Sequence, residues 1–269
     1  MERQSTPVRQ PAFFITHGGG PCFFMPDTGG VWTQLAAHLR AISPALPQTP
    51  RALLVVSAHW ETAGFAVSGC DRPGLLYDYH GFPPETYALT WPAAGDPDLA
   101  QRAVEMLDVS GLTASIDCVR GWDHGVFVPM KVAFPDADIP CLAMSLDRSL
   151  DPDLHLRAGR ALAPLRDEGV VIVGSGSSFH NMRAMADSAL AQCSIDFDAW
   201  LHDAVTSQPD RRDVALRNWE RAPNARISHP REEHLLPLMV AAGTSDLPGT
   251  VIYREKLAGR VALSGFRFD

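Results

Sequence analysis

The chain has 269 residues, 46% of them hydrophobic and 20% charged, with a net charge of −8. This is ordinary globular composition with enough apolar material for one large core, and it excludes collagen-like and disordered classes. The acidic balance, with basic residues scattered or in short pairs such as Arg211-Arg212, excludes nucleic-acid and anionic-membrane surfaces, which need clustered Lys and Arg.

Residues 1–10 are polar and lack the apolar stretch of an export signal, so they read as a flexible lead-in to a single domain over 11–269. An apolar strand at 12–16 and a glycine-rich turn come first, then an amphipathic helix at 31–42. Strands are predicted at 51–57 and 65–68, a helix at 98–107 and a strand at 113–118. A helix at 126–134, an extended segment at 139–145 and a helix at 154–165 follow. The apolar core of the next strand is 170–173. Helices at 196–205, 212–219 and 232–242 lead to closing strands at 250–254 and 261–268. Short apolar strands alternating with helices predict an α/β fold, a central mixed sheet flanked by helices.

No repeat or long linker interrupts this pattern, and no apolar run approaches membrane-spanning length. The five cysteines (22, 70, 118, 141 and 193) are far apart and form no CxxC pair. Such a set reads as reduced thiols in a cytoplasmic protein and argues against thiolate zinc.

Three of the predicted strands run into histidines. Phe13-Phe-Ile-Thr-His17 is followed by three glycines, Leu53-Leu-Val-Val-Ser-Ala-His59 places a histidine just past the strand, and Val170-Val-Ile-Val leads through Gly174-Ser-Gly-Ser-Ser-Phe to His180. The carboxyl ends of strands line the ligand crevice in open α/β sheets, so these histidines are expected to converge there. A fourth segment, His229-Pro-Arg-Glu-Glu-His234, opens an apolar helix. His17, His59 and His234 together read as a metal site, of a kind that suits Fe(II) and Zn(II) alike.

The other histidines read differently. His124 follows Asp123, read as a helix cap, and is placed facing a pocket. His38, His155 and His202 read as surface or packing residues, and His80 sits in an aromatic, proline-bent loop that forms a wall, a lid or simple packing. The glycines at 18–20 lack phosphate-loop spacing and are expected to let the backbone pass beneath a bound ligand. Gly174-Ser-Gly-Ser-Ser178 is not a nucleophile elbow, because glycine holds its centre.

Taken in order, several stretches make the chain similar to the class III extradiol ring-cleaving dioxygenases (the LigB-like superfamily), in their DOPA 4,5-dioxygenase branch. They are Thr16-His-Gly-Gly-Gly-Pro21, Ser57-Ala-His-Trp-Glu61, Tyr77-Asp-Tyr-His-Gly-Phe-Pro83, Trp122-Asp-His-Gly-Val-Phe-Val-Pro129, Ala137-Asp-Ile-Pro140, Gly174-Ser-Gly-Ser-Ser-Phe-His180 and His229-Pro-Arg-Glu-Glu-His-Leu-Leu-Pro-Leu238. The resemblance implies a non-haem Fe(II) enzyme that opens a small, DOPA-like catechol with O2 to a semialdehyde. Zn(II) is the natural substitute occupant. It implies His17, His59 and His234 as ligands, with Glu233 a rival for the third position. His180 is implied as the acid–base residue, His124 as a pocket histidine in contact with the substrate, and His229 as either a support behind the ligands or a further substrate contact.

Two rivals stand beside this reading: a zinc-dependent hydrolase using Glu232 or Glu233 as base, and a non-catalytic metal-binding protein on the same fold. The catechol itself and the bond cleaved stay open. A carboxylate-bearing catechol would call for a cation such as Arg183 or Arg231. Monomer and homodimer are equally compatible with the sequence.

Overall fold

The apolar runs at 12–15, 52–56 and 170–173 are buried on both faces, as strands inside a helix-covered sheet must be. The computed structural model describes residues 8–185 and 187–269. In chain order the strands are β1 (Ala12–Thr16), β2 (Ala52–Thr62), β3 (Phe65–Ser68), β4 (Ala114–Asp117), β5 (Cys141–Asp147), β6 (Val170–Gly176), β7 (Thr250–Leu257) and β8 (Val261–Phe268). The helices are α1 (Thr33–Arg40), α2 (Pro97–Val109), α3 (His124–Ala133), α4 (Pro152–Leu162), α5 (Ser188–Val205), α6 (Pro209–Arg217), α7 (Ala225–Ser228) and α8 (Leu236–Gly243). None is long and apolar enough to cross a membrane among the described residues.

The strands form one mixed sheet in the order β4-β3-β5-β2-β6-β1-β8-β7. β5, β2, β6 and β1 run parallel, and β8 adds antiparallel to β1. Side chains alternate across this sheet. Val170 and Ile172 enter the layer that holds α8, whereas Val171 and Val173 enter the layer that holds α3. Phe13 and Ile15, and Leu53 and Val55, share that second layer. Continuing the alternation puts His17, Ser57, His59 and Ser175 on the α3 side.

β2 runs on to Thr62, so His59 lies within the strand and not beyond it as expected. Pairing with β6 stops at Ser57, and the register with β5 shifts between Val56 and Glu61. The extension is an irregular, bulged segment, a form common beside functional sites and invisible to hydrophobic periodicity. α5 starts at Ser188 rather than near 196, consistent with the helix-forming run Ala189-Leu-Ala-Gln. Of the expected flexible lead-in, residues 1–7 lie outside the described residues. Gln10 is buried, its amide donating to the Arg166 carbonyl and its carbonyl accepting from Arg166 Nε.

His155 is a core residue: its Nδ1 donates to the Asp151 carbonyl and its Nε2 accepts the Asp147 amide. His38 stacks on Tyr253, and His202 sits half-buried beside Asp203.

The Gly174-Ser175-Gly176 run sets the height of the chain that enters α8. A Cβ on Gly174 would lie 2.2 Å from the Pro237 carbonyl oxygen, and one on Gly176 would lie 2.1 Å from that of His234. The Ser177 amide then donates to the His234 carbonyl at 2.9 Å. Gly176→Ala should therefore push His234 outward and destabilise the fold by about 1–3 kcal/mol, the usual penalty of overpacking. Urea unfolding of the variant checks this; an unchanged midpoint would mean the approach is looser than the geometry states.

Candidate active site

β6 lies between β1 and β2, so residues following β1 and within β2 meet only by reaching over it. Ser175 is small enough to allow this, and His17 and His59 close to 3.1 Å between their Nε2 atoms. His124, the first residue of α3, comes from the same layer, with its ring centroid 4.0 Å from that of His59 and 5.4 Å from that of His17. His234 arrives ahead of α8, 5.2 Å from His17 and 4.9 Å from His59 between ring centroids. His180 stacks on His234 at 3.4 Å. All five line one cavity of about 460 Å³, within the usual range of small-molecule sites.

The donor atoms of His17, His59 and His124 lie within 4.8 Å of one another, and so do those of His180, Glu233 and His234. His124, expected as a substrate contact, is therefore as near to His17 and His59 as a third ligand would be. His229, also expected at the substrate, does not line the cavity. It is fully buried between Phe197 and Trp219, with Nε2 donating to the Ser178 carbonyl. Its sequence neighbours reach the site, but its own side chain turns into the core. His80 is exposed and lies outside the cavity.

Hydrogen-bond partners fix where most of these imidazoles carry their proton. Ser175 Oγ donates to the Gly125 carbonyl, so it accepts from His17 Nδ1 at 3.1 Å. Asp78 accepts from both the amide and the Nδ1 of His124, at 2.9 and 2.8 Å. Glu233 accepts from His234 Nδ1 at 2.9 Å and stands 3.3 Å from His180 Nδ1. Each of these rings is left with a bare Nε2. His59 Nδ1 is 3.9 Å from Asp78, and its backbone, past the regular ladder, is held by side chains. Ser57 Oγ accepts its amide at 3.1 Å, and Arg120 donates to its carbonyl at 3.0 Å.

Asp123 does not cap its helix with its side chain, contrary to expectation. It is buried, and its carboxylate takes the Ser57 hydroxyl at 2.7 Å and Arg120 at 3.1 Å. Burial pushes its pKa up, with the bond from Ser57 opposing.

Residue-by-residue reading of the sequence missed Ser57, Asp78 and Ser175 as functional positions. Asp78 carried a signal, a lone carboxylate within an otherwise aromatic loop. The two serines carried none, because their role depends on strand neighbours.

Burial holds His17 well below its ordinary pKa, reinforced by the four facing histidines. It brings His59 to about 2, helped by His124 and His234 and resisted by Asp78. His234 falls to about 4, again mainly by burial, with the bond to Glu233 opposing. Burial alone would raise Glu233, but bonds from His180 and His234 hold it well below the carboxylate range. Asp78 is likewise lowered: burial opposes, and the His124 bond outweighs it. His17, His59 and His234 are thus neutral imidazoles, and Asp78 and Glu233 are the carboxylates behind the cluster.

Such a set fits a divalent non-haem metal. Two imidazole nitrogens bound side by side at about 2.0–2.1 Å from one ion stand roughly 3 Å apart. With the His17 proton committed to Nδ1, a cation satisfies the lone pairs facing across that 3.1 Å gap. Carboxylates on the far ring nitrogens are the usual supports of ligating histidines.

Comparison with known proteins agrees with this chemistry. The family model described as the catalytic LigB subunit of aromatic ring-opening dioxygenase matches residues 11–261. A protein named dioxygenase tasH, from Hapsidospora irregularis, is 40% identical over 87% of this chain and 78% of its own. A 4,5-DOPA dioxygenase extradiol from Beta vulgaris is 38% identical over 87% of this chain and 86% of its own. The crystal structure of an uncharacterized protein from Escherichia coli K12 superposes with a TM-score of 0.78 at 31% identity, covering 97% of this chain and 100% of that one.

The buried histidines predict a pH profile for the metal-free protein. Folded His59, His229, His234 and His38 are pushed down to about 2, 3, 4 and 4, whereas the unfolded chain takes up protons near 6.5. Below pH 6.5 the unfolded state binds more protons, so stability is full above that value and falls towards pH 4. Each histidine contributes up to ~1.4 kcal/mol per pH unit. Urea midpoints at pH 7.5, 6 and 5 should fall in that order; a flat series would contradict the assignment of neutral buried rings.

Proposed function

The chain belongs to the family of catalytic LigB subunits of aromatic ring-opening dioxygenases, and on that basis we propose that it cleaves a small catechol beside its diol, with Fe(II) held by His17, His59 and His234. The observation that carries this reading is the 3.1 Å approach of the His17 and His59 Nε2 atoms, inside a cavity that also receives His124, His180 and His234. His234 is favoured as third ligand because it approaches from the opposite layer, with its ring centroid 5.2 Å from that of His17 and 4.9 Å from that of His59. His124, from the same layer as the first two, is then assigned to the diol. Glu233 is not assigned to the metal, since its carboxylate serves His234 and His180.

When bound, the metal supplies a Lewis acid for the diol hydroxyls and a redox centre for dioxygen. The residues of the chain do the remaining work. Glu233 holds the Nδ1 proton of His180, leaving Nε2 free to accept a hydroxyl proton and later to return it. Asp78 likewise leaves His124 Nε2 as an acceptor towards the second hydroxyl. The His180 side chain is one-third exposed, so it is open to the cavity where a ligand ring would lie. One ring C–C bond breaks, both dioxygen atoms enter the product as aldehyde and carboxyl oxygens, and no external reductant is required.

A zinc hydrolase is less well supported. Its base would be Glu232 or Glu233, but Glu232 is paired with Arg226 at 2.5 Å and Glu233 is committed to two histidines.

Oxygen uptake by anaerobically Fe(II)-loaded protein on a panel of catechols, followed with visible absorbance, tests the activity directly. A yellow product with one O2 consumed per catechol is expected; no uptake with iron bound would overturn the proposal. His17→Ala, His59→Ala and His234→Ala should each lose iron. His180→Ala and His124→Ala should retain it, with His180→Ala losing about 10²–10⁴-fold in turnover. Iron retained in His234→Ala but lost in His124→Ala would exchange the roles of those two residues.

A further inference from the structure

Beyond the histidines, the cavity is built almost wholly from apolar side chains. Met25, Trp32, Phe82, Phe179, Leu257 and Leu263 form its outer wall. The wall is backed by a separate apolar cluster, in which Phe179, Leu257 and Leu263 pack with Leu35, Tyr253 and Val261. It is thus a constructed surface and not a chance gap between loops.

Charge is missing from it. Among the described residues, no Arg or Lys lines the cavity. Arg231, named above as a candidate partner for a substrate carboxylate, is instead bound at both Nη atoms to Glu61, at 2.5 and 2.6 Å. Arg183 is exposed and lies outside the lining. The polar groups near the mouth are also committed. Ser177 Oγ donates to the Phe179 carbonyl, and Asn181 donates to the Ile227 carbonyl while accepting the Arg183 amide. Behind the histidines, Asp78 and Glu233 already supply negative charge.

We infer that the site takes an uncharged catechol bearing an apolar substituent, in preference to an amino-acid or carboxylate-bearing catechol. The inference rests on the ring-cleaving function proposed above and specifies its substrate class. A carboxylate lodged against this wall loses its hydration and finds no cation, whereas an alkyl chain gains contact with Trp32, Phe82 and Leu263.

The test compares butylcatechol, dihydroxyphenylpropionate, DOPA and dopamine on the Fe(II)-loaded protein. Turnover is read by oxygen uptake, and anaerobic binding by quenching of tryptophan emission. Butylcatechol should exceed each charged catechol by at least about tenfold in both kcat/KM and affinity. Leu257→Lys, at the edge of the wall, should raise affinity for dihydroxyphenylpropionate and lower it for butylcatechol. Charged catechols that bind or turn over as well as butylcatechol would overturn the inference while leaving ring cleavage intact. Preferential binding of butylcatechol without turnover of any catechol would uphold the wall's selectivity and sink the ring-cleaving reading instead. The wild-type panel decides the matter even if Leu257→Lys does not fold.

Discussion

An imidazole has two nitrogens and, when neutral, one proton, and this site depends on which nitrogen carries it. A ring whose Nδ1 proton is claimed by an acceptor must present its Nε2 lone pair to whatever lies opposite. Ser175, Asp78 and Glu233 each claim such a proton, from His17, His124 and His234 respectively. The acceptors come from β6, from the loop after Leu75 and from the segment before α8, so orienting the rings requires the whole sheet and both helical layers. Removing an acceptor would leave the histidine in place but let its ring turn. The backing residues are therefore as much a part of the centre as the rings.

The sheet order makes the convergence possible. Strands in a sheet are about 4.8 Å apart, so the backbones of β1 and β2, with β6 between them, are separated by roughly twice that. Two histidines can bridge such a gap only over a small residue, and Ser175 is the residue they cross. Its neighbours face the other layer, where any side chain would collide with the chain entering α8. One tripeptide thus brings His17 and His59 together on one face and admits His234 from the other. The bulge in β2 is the companion device. It frees His59 from the ladder, and Ser57 and Arg120 then hold the backbone that β5 and β6 no longer pair.

These relations explain what could be read from the sequence. β1, β3 and β8 matched their predicted limits because their apolar runs are bounded by turn residues, and the α/β layering followed from the alternation of elements. The gathering of His17, His59 and His180 was legible because strand carboxyl ends in such folds share one edge, and that of His234 because a helix start can face that edge. What stayed hidden were contacts between residues far apart in the chain. Ser175 reaches Gly125, and Asp78 reaches His124, through neighbours that only the strand order creates. His229 shows the opposite error: it lies five positions from His234, yet the intervening turn sends its ring into the core against Trp219. Asp123 sits where a cap belongs, but the Ser57 hydroxyl beside the bulge donates to its carboxylate instead.

Charge divides the site into two parts with different constraints. Neutral imidazoles leave a divalent ion uncompensated, and Asp78 and Glu233 supply balancing charge one atom layer behind them, where it also fixes ring orientation. Moving those carboxylates into direct contact would weaken the ion as a Lewis acid and free the rings they hold. The charged apparatus therefore tolerates little change. The apolar wall contributed by Trp32, Phe82 and the β7–β8 hairpin supplies none of the hydrogen bonds that orient the rings, which come from Ser175, Asp78 and Glu233. A fold arranged this way keeps its chemistry in the sheet and its selectivity in the hairpin and loops around it. The reaction and the choice of substrate are then separable properties of the same cavity.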